Sequence, residues 1–374
     1  MNPRALLQAY ELSKPAPSAS WVFLQRDLFY NKIMYLSSKI DIILLKGVNM
    51  KEIIITKADH GHKVEKFVRK FLSDAPLSFI YKLFRVKDVK VNGKRISKDY
   101  ILSENDLLQI YVTDKQLEEF RKPRTTVKSS IQLDIVYEDE NIIIINKPSG
   151  LLVHGDSLEK RLTLQNVVLN YLMEKGEYNP SDETAFTPAP CHRLDRNTSG
   201  LIVFGKNIES LHQLEELFKD KTNIKKEYLA LVAGKLFGKG KIDAPLYKDE
   251  KNKTVYIRSI SQGGKNALSY YESKKNFKDK TLLSVEIVTG RTHQIRVHLA
   301  HIGHPILGDA KYGNYKANKI FQEKYNYQNQ FLHAYKLSFL EIGDGLSYLS
   351  NKTFEVGLHK KEKDIIEQLM EEEC

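Results

Sequence analysis

The chain has 374 residues with 58 Lys+Arg against 47 Asp+Glu, a net charge of +11, and 41% hydrophobic residues; this excludes an acidic or wholly disordered chain and gives room for about two domains of ~150 residues. No run approaches the ~18 uninterrupted apolar residues that a membrane span needs, since Ile40 to Leu45 already contains Asp41 and stops at Lys46. Cys191 and Cys374 are too few for a disulfide framework or a four-cysteine zinc site, so the expected setting is a reducing cytoplasm with no membrane partner.

Residues 1–49 are read as an N-terminal extension of unknown role. Arg4, Glu11, Lys14, Arg26 and Asp27 interrupt its apolar stretches, unlike a secretory signal. Met50 opens a strand-like run to Thr56 and is a candidate for the true start. Val64, Phe67, Val68, Phe71 and Leu72 then fall at helix-face spacing, and Phe79, Ile80, Leu83 and Phe84 mark a second short helix. Val89-Lys90-Val91 ahead of Asn92-Gly93 predicts a hairpin, because that pair tolerates the positive φ values of a type I′ turn. A strand is expected over Leu107 to Val112. These elements define a small domain over residues 50–117, followed by a polar, basic linker over 118–130 that contains Pro123.

A larger domain is expected over 131–345. Strand-like runs (Ile142 to Ile145, Leu201 to Phe204, Tyr228 to Val232, Leu282 to Val288) alternate there with helix-like ones (Leu164 to Leu172, Ile208 to Phe218, Gln294 to Ala300), which predicts a mixed α+β fold. Residues 346–374 read as a charged tail whose amphipathic helix, Lys360 to Glu373, is expected to be a solvated terminal element.

The positive charge is concentrated. Residues 50–128 hold 18 Lys+Arg and 11 Asp+Glu, a net +7 of the chain's +11. Arg69, Lys70, Lys82, Arg85, Lys87 and Lys90 lie on the two short helices and the turn into the hairpin, a surface suited to backbone phosphates. A solvated lysine-rich face is the other reading, and charge does not separate RNA from DNA. The helix-helix-hairpin order over Val64 to Val112 resembles an S4-type RNA-binding module, which implies structured RNA as the partner.

Polar groups crowd Cys191-His192-Arg193-Leu194-Asp195-Arg196-Asn197-Thr198-Ser199-Gly200, just ahead of an apolar strand. An aspartate flanked by Arg193 and Arg196 suits a nucleophile or base better than a general acid; an ordinary loop-holding aspartate is the alternative. A second cluster runs from Thr289 to Pro305. His298, His301 and His304 recur there every three residues, but no acid is interleaved and Gly303-His304-Pro305 should end the helix, so no metal is expected. His301-Ile302-Gly303-His304 spells an aminoacyl-tRNA synthetase signature without that signature's context. No phosphate-binding or dinucleotide-binding glycine loop occurs, and no cofactor is expected.

Several segments taken in order resemble the RluA-type family of RNA pseudouridine synthases. They are Asp139 to Leu151; His192-Arg193-Leu194-Asp195 with Thr198-Ser199-Gly200; Lys226-Glu227-Tyr228-Leu229-Ala230; Gly290 to His298; Gly303 to Asp309 with Tyr312-Gly313; and Leu332-His333-Ala334. The resemblance implies an α+β catalytic domain behind an S4 module. It also implies an enzyme that breaks the N1 to C1′ bond of a uridine and rejoins the ribose to C5 of the same base, an isomerisation that needs no cofactor. Asp195 matches the family's catalytic aspartate, Arg296 the arginine that pairs with it, and Tyr228 the active-site tyrosine. A stacked uridine must be flipped out to meet Asp195, and Arg193 matches the residue that fills the gap. Lys147, Lys226, Arg291 and His293 are candidates for phosphate contacts or pocket walls.

Phe79 to Arg95 looks most like the synthases of large-subunit ribosomal RNA, so that RNA is the expected partner and the protein is expected to act as a monomer. The rivals are a tRNA synthase of the same family and a non-catalytic RNA-binding assembly factor. Glycoside hydrolysis falls behind because the matched segments offer no second carboxylate as a partner for Asp195.

Overall fold

Leu108, Ile110 and Val112 are buried and alternate with half-buried Leu107, Gln109 and Tyr111, the period-two pattern of a strand with one face on a core. The structure is a computed structural model that describes residues 49–56, 59–121, 131–155, 162–179, 186–220, 222–343 and 345–373. Most of the N-terminal extension and of the expected linker lies outside these residues. The contacts divide the chain into two units: one runs to Ile55 and resumes over Lys63–Lys122, and the other takes Thr56–His62 and everything from Pro123.

In the first unit, β1 (Asn49–Ile54), β2 (Val89–Val91), β3 (Lys94–Arg95) and β4 (Leu107–Val112) form an antiparallel sheet in the order β1-β4-β2-β3. Helices α1 (Val64–Phe71) and α2 (Leu77–Val86) bury Val64, Phe67, Val68, Phe71, Ile80 and Leu83 from the positions that the helical spacing picks out, and leave Phe79 and Phe84 half-buried. The turn between β2 and β3 places Asn92 at φ 51° and Gly93 at φ 73°, both left-handed. Glu118 and Glu119, expected to open the linker, lie in a helix. Thr113 caps α3 (Asp114–Phe120) in a reciprocal capping box with Gln116, and the Phe120 ring lies 4.9 Å from that of Phe79. Capping and ring packing thus extend the helix through Glu118 and Glu119 despite their polarity.

The second unit holds β5 (Ile135–Glu138), β6 (Ile142–Lys147), β7 (Ala189–Pro190), β8 (Ser199–Gly205), β9 (Ile224–Ala233), β10 (Lys239–Asp243), β11 (Leu246–Asp249), β12 (Thr254–Ile257), β13 (Leu268–Asn276), β14 (Lys280–Ile287), β15 (Leu332–Phe339) and β16 (Thr353–Glu355). A sheet runs in the order β10-β13-β14-β9-β15-β8-β6-β5, with β7 on β8 and β16 on β15, and β11 and β12 form a separate hairpin. Helices α4 (Leu164–Glu174), α5 (Ile208–Asp220), α6 (Gln294–His301), α7 (Tyr315–Tyr325) and α8 (Lys360–Glu371) complete it. The uninterrupted apolar runs of β6 and β8 follow from burial on both faces. Ile143, Ile145, Ile202 and Phe204 enter one core, while Ile142, Ile144, Leu201 and Val203 enter another.

Gly200 is required where β8 lies parallel to β15. It sits at φ +107°, opposite Ala334, and a Cβ there would stand 2.2 Å from the Ala334 carbonyl oxygen. Gly200→Ala is expected to cost at least about 3 kcal/mol, through a strained backbone and a contact with unyielding main chain; a urea midpoint within error of wild type would contradict this.

The C-terminal helix corrects an expectation. α8 is amphipathic, but it is not a solvated appendage: Ile365, Ile366 and Leu369 join the larger core. Burying three such side chains gains about 1.5–3 kcal/mol each. Glu362 comes in with them at 3% exposure, accepting hydrogen bonds from the Tyr327 hydroxyl (3.0 Å) and the Ser199 hydroxyl (3.4 Å).

Candidate active site

The loop that carries Asp195 leads into β8 and is tied down on both sides. Before Asp195, the His192 ring stacks on Phe218 at 4.2 Å, and its Nε2 accepts the Val203 N–H at 3.1 Å. Only a neutral imidazole can accept there, and burial lowers the His192 pKa to about 3. After Asp195, the Lys147 ammonium donates to the carbonyls of Pro148, Leu151 and Arg196 at 2.9–3.0 Å, and the Ser149 hydroxyl donates to the Asn197 carbonyl. Lys147 is fully buried, which pulls its pKa down to about 7 against the opposing charge of Asp195. Its three carbonyl partners match the three N–H groups that only the ammonium form has. Lys147 is therefore an internal strut and has no access to phosphates.

The second wall is the turn into α6. Gln294, 3% exposed, accepts from the Thr289 hydroxyl (2.6 Å) and the Arg291 N–H (3.0 Å), and donates to the Leu268 carbonyl and the Ser269 hydroxyl. His298 bonds to the Ser269 hydroxyl and the Ala244 carbonyl, His304 bonds to the Ala233 carbonyl, and His301 is exposed. The three-residue histidine rhythm is thus a by-product of separate structural roles.

Arg296 projects from α6 and joins two carboxylates. Its Nη1 donates to Asp195 Oδ2 at 2.8 Å, while Nε and Nη2 donate to Asp309 Oδ2 and Oδ1 at 2.7 and 2.9 Å. Burial alone would lower the Arg296 pKa; its hydrogen bonds to Asp309 and the charges of both aspartates raise it instead. Burial alone would raise the Asp309 carboxyl, but the guanidinium and the N–H groups of Lys311 and Tyr312 hold it below the usual carboxylate range. His293 Nε2 stands 3.8 Å from Asp195 Oδ2, and burial keeps its pKa low. Tyr228, on β9 between β14 and β15, is 7% exposed. Burial first, and the Asp195 charge second, push its phenol up, so it stays protonated.

Asp195, Tyr228, Arg296 and Arg193 line one cleft of about 840 Å³. Lys219, Lys226, Lys248, Lys253 and Arg291 also line it, together with Glu215 and Glu250. The RNA pseudouridylate synthase family model matches residues 141–301, which span Asp195, Tyr228 and Arg296. An uncharacterized RNA pseudouridine synthase of Mycoplasma capricolum is 34% identical over 304 residues, 81% of this chain and 96% of that one. The chain belongs to the RNA pseudouridine synthase family. The ribosomal large subunit pseudouridine synthase C of Escherichia coli K12 is 34% identical over 302 residues, 79% of this chain and 91% of the relative. Among solved structures, human RNA pseudouridylate synthase domain containing 4 covers 63% of this chain and 92% of its own at 24% identity, with a TM-score of 0.49.

In this pseudouridine synthase the sequence-predicted residues fall into two groups. Asp195, Arg296, Tyr228 and Arg193 meet in the second unit's cleft. Arg69, Lys82, Arg85, Lys87 and Lys90 belong to the first unit, where the first four are exposed and Lys90 is half-buried with its Nζ on the Tyr111 hydroxyl at 3.1 Å. Arg69 also reaches Glu65 at 3.5 Å. The local charge reading of Asp195 is revised: Arg193 and Arg196 are exposed, and the cation on its carboxylate comes from Arg296, 101 residues away. The matched segments do hold a further buried carboxylate, though not one that serves as a partner for Asp195. Asp309 stands in one of them, 1% exposed and turned onto Arg296. The signal that could have found it is its position as the acid closing Gly303 to Asp309, beside a family arginine that needs a counter-charge.

Proposed function

We propose that this enzyme isomerises uridines of large-subunit ribosomal RNA to pseudouridine, with Asp195 as the reacting carboxylate. What supports this most is the ion-pair array: Asp195 sits at the cleft with Oδ2 on Arg296, whose other donors go to a buried carboxylate. A guanidinium held from behind orients an anionic carboxylate, as a planar donor fork does well. The N1 to C1′ bond breaks and C5 joins C1′; the proton lost from C5 is matched by one gained at N1, so no co-reactant is consumed. Tyr228 packs against the base and assists the proton's departure from C5 as a hydroxyl.

The uridine reaches Asp195 by flipping out of its stack, and Arg193, exposed at the cleft, fills the vacated space. The first unit acts as an S4-type RNA-binding module through Arg69, Lys82, Arg85, Lys87 and Lys90. The large-subunit substrate is favoured by the named activity of the Escherichia coli relative together with the Phe79 to Arg95 segment. Incubating the purified protein with unmodified large-subunit RNA or with tRNA, followed by carbodiimide mapping, tests the substrate. Pseudouridine in the ribosomal RNA alone is expected; formation in tRNA alone would refute it.

Affinity should fall steeply with salt. If six phosphates are neutralised, binding is expected to weaken by roughly 10³-fold between 50 and 200 mM salt. A flat salt titration would contradict the basic surface.

A further inference from the structure

We infer that the turn Asp309–Tyr312 is the positioning device of this active site: it aims Arg296 and His293 at the same oxygen of Asp195, Oδ2, and leaves Oδ1 for the uridine. This rests on the reading of Asp195 as the reacting carboxylate. One arm runs through Asp309. Its two oxygens take Nε and Nη2 of Arg296, and Oδ1 also accepts the N–H groups of Lys311 (2.9 Å) and Tyr312 (3.1 Å). This side-on pair fixes the guanidinium plane, so that Nη1 points at Asp195 Oδ2, 2.8 Å away.

The other arm runs through Tyr312. Its hydroxyl accepts the Val255 N–H at 2.9 Å, which directs its own proton to His293 Nδ1 at 2.8 Å. With Nδ1 accepting, the neutral ring carries its proton on Nε2, the atom 3.8 Å from Asp195 Oδ2. The Tyr312 ring packs edge-on to His293 at 5.5 Å, with the Arg296 guanidinium 5.1 Å from its centroid. His293 itself holds a left-handed backbone at φ 53°, a conformation that non-glycine residues adopt only where the surroundings impose it. A carboxylate held by Arg296 alone can still swing about its last torsion. His293 Nε2, 3.8 Å from the same oxygen, is beyond hydrogen-bond distance, so it narrows that swing by occupying the space beside Oδ2 and not by a formed bond.

The test is the single-turnover rate constant, with enzyme saturating an in vitro transcript that carries the mapped uridine. The variants are Asp309→Asn, Tyr312→Phe, Arg296→Lys and the Arg296→Lys/Asp309→Asn double, with Asp195→Ala as control. Tyr312→Phe is expected to slow the step about 10-fold and Asp309→Asn about 100-fold, with the Kd for RNA changed less than about 3-fold. Because Asp309 acts through Arg296, adding Asp309→Asn to Arg296→Lys should cost less than about 3-fold more. A merely structural role would lower the reactive fraction, hence the amplitude, and leave the rate constant unchanged. Wild-type rate constants in both single variants, beside an inactive Asp195→Ala, would overturn the inference alone; a wild-type rate in Asp195→Ala would overturn the reading beneath it. If Asp309→Asn fails to fold, Tyr312→Phe decides the matter by itself.

Discussion

Asp195→Asn is expected to fold like the wild type, bind RNA within about 3-fold of it, and lose at least about 10⁴-fold in the rate of pseudouridine formation. The fold survives because the Asp195 side chain is 29% exposed and Arg296 keeps both bonds to Asp309 without it. The stability change should stay under about 1 kcal/mol. The rate collapses because an amide of the same shape retains neither the charge nor the nucleophilicity of the carboxylate. Thermal unfolding, RNA titration and single-turnover kinetics on one preparation check all three. A loss in affinity as large as the loss in rate would make Asp195 a binding residue instead.

Arg296→Met is expected to cost stability as well as activity. Asp309 is 1% exposed, and without the guanidinium its charge is buried with only the N–H groups of Lys311 and Tyr312 as donors. Breaking a buried pair from one side costs about 3–5 kcal/mol. The pH dependence separates this from simple loss of packing. In the wild type the Asp309 pKa lies below its ordinary value of 3.8, so its contribution to stability is present above pH 3.8 and disappears as pH falls through the folded value. In the variant, burial raises that pKa instead, and the folded state weakens as pH climbs above 3.8. The deficit relative to wild type should therefore be full near pH 7 and shrink toward pH 3. A deficit independent of pH would show that packing alone was lost.

Elements defined by neighbours in the chain were legible. Ile142 to Ile145 reads as a strand and is one, buried on both faces, and Asn92-Gly93 marks its turn because the φ requirement is local. Family resemblance placed Asp195, Tyr228 and Arg296 on residues that the fold does gather around one cleft. Features that depend on three-dimensional company were not legible. Lys147 carries a charge that ordinarily means solvent, and only the converging carbonyls of Pro148, Leu151 and Arg196 explain its burial. Arg193 and Arg196 are near Asp195 in sequence and mislead about its counter-ion. α8 looks solvated because its charges dominate the sequence; its three buried aliphatic side chains decide where it sits. Asp309 shows its role only once both of its oxygens are seen on Arg296.

The most direct test of the central claim is a map of pseudouridines across ribosomal RNA and tRNA by carbodiimide labelling and primer extension, in cells lacking the protein and in cells rescued with wild type or Asp195→Asn. Large-subunit sites that vanish on deletion and return only with the wild type are the expected result. Rescue by Asp195→Asn, or an unchanged map in every RNA, would contradict the account.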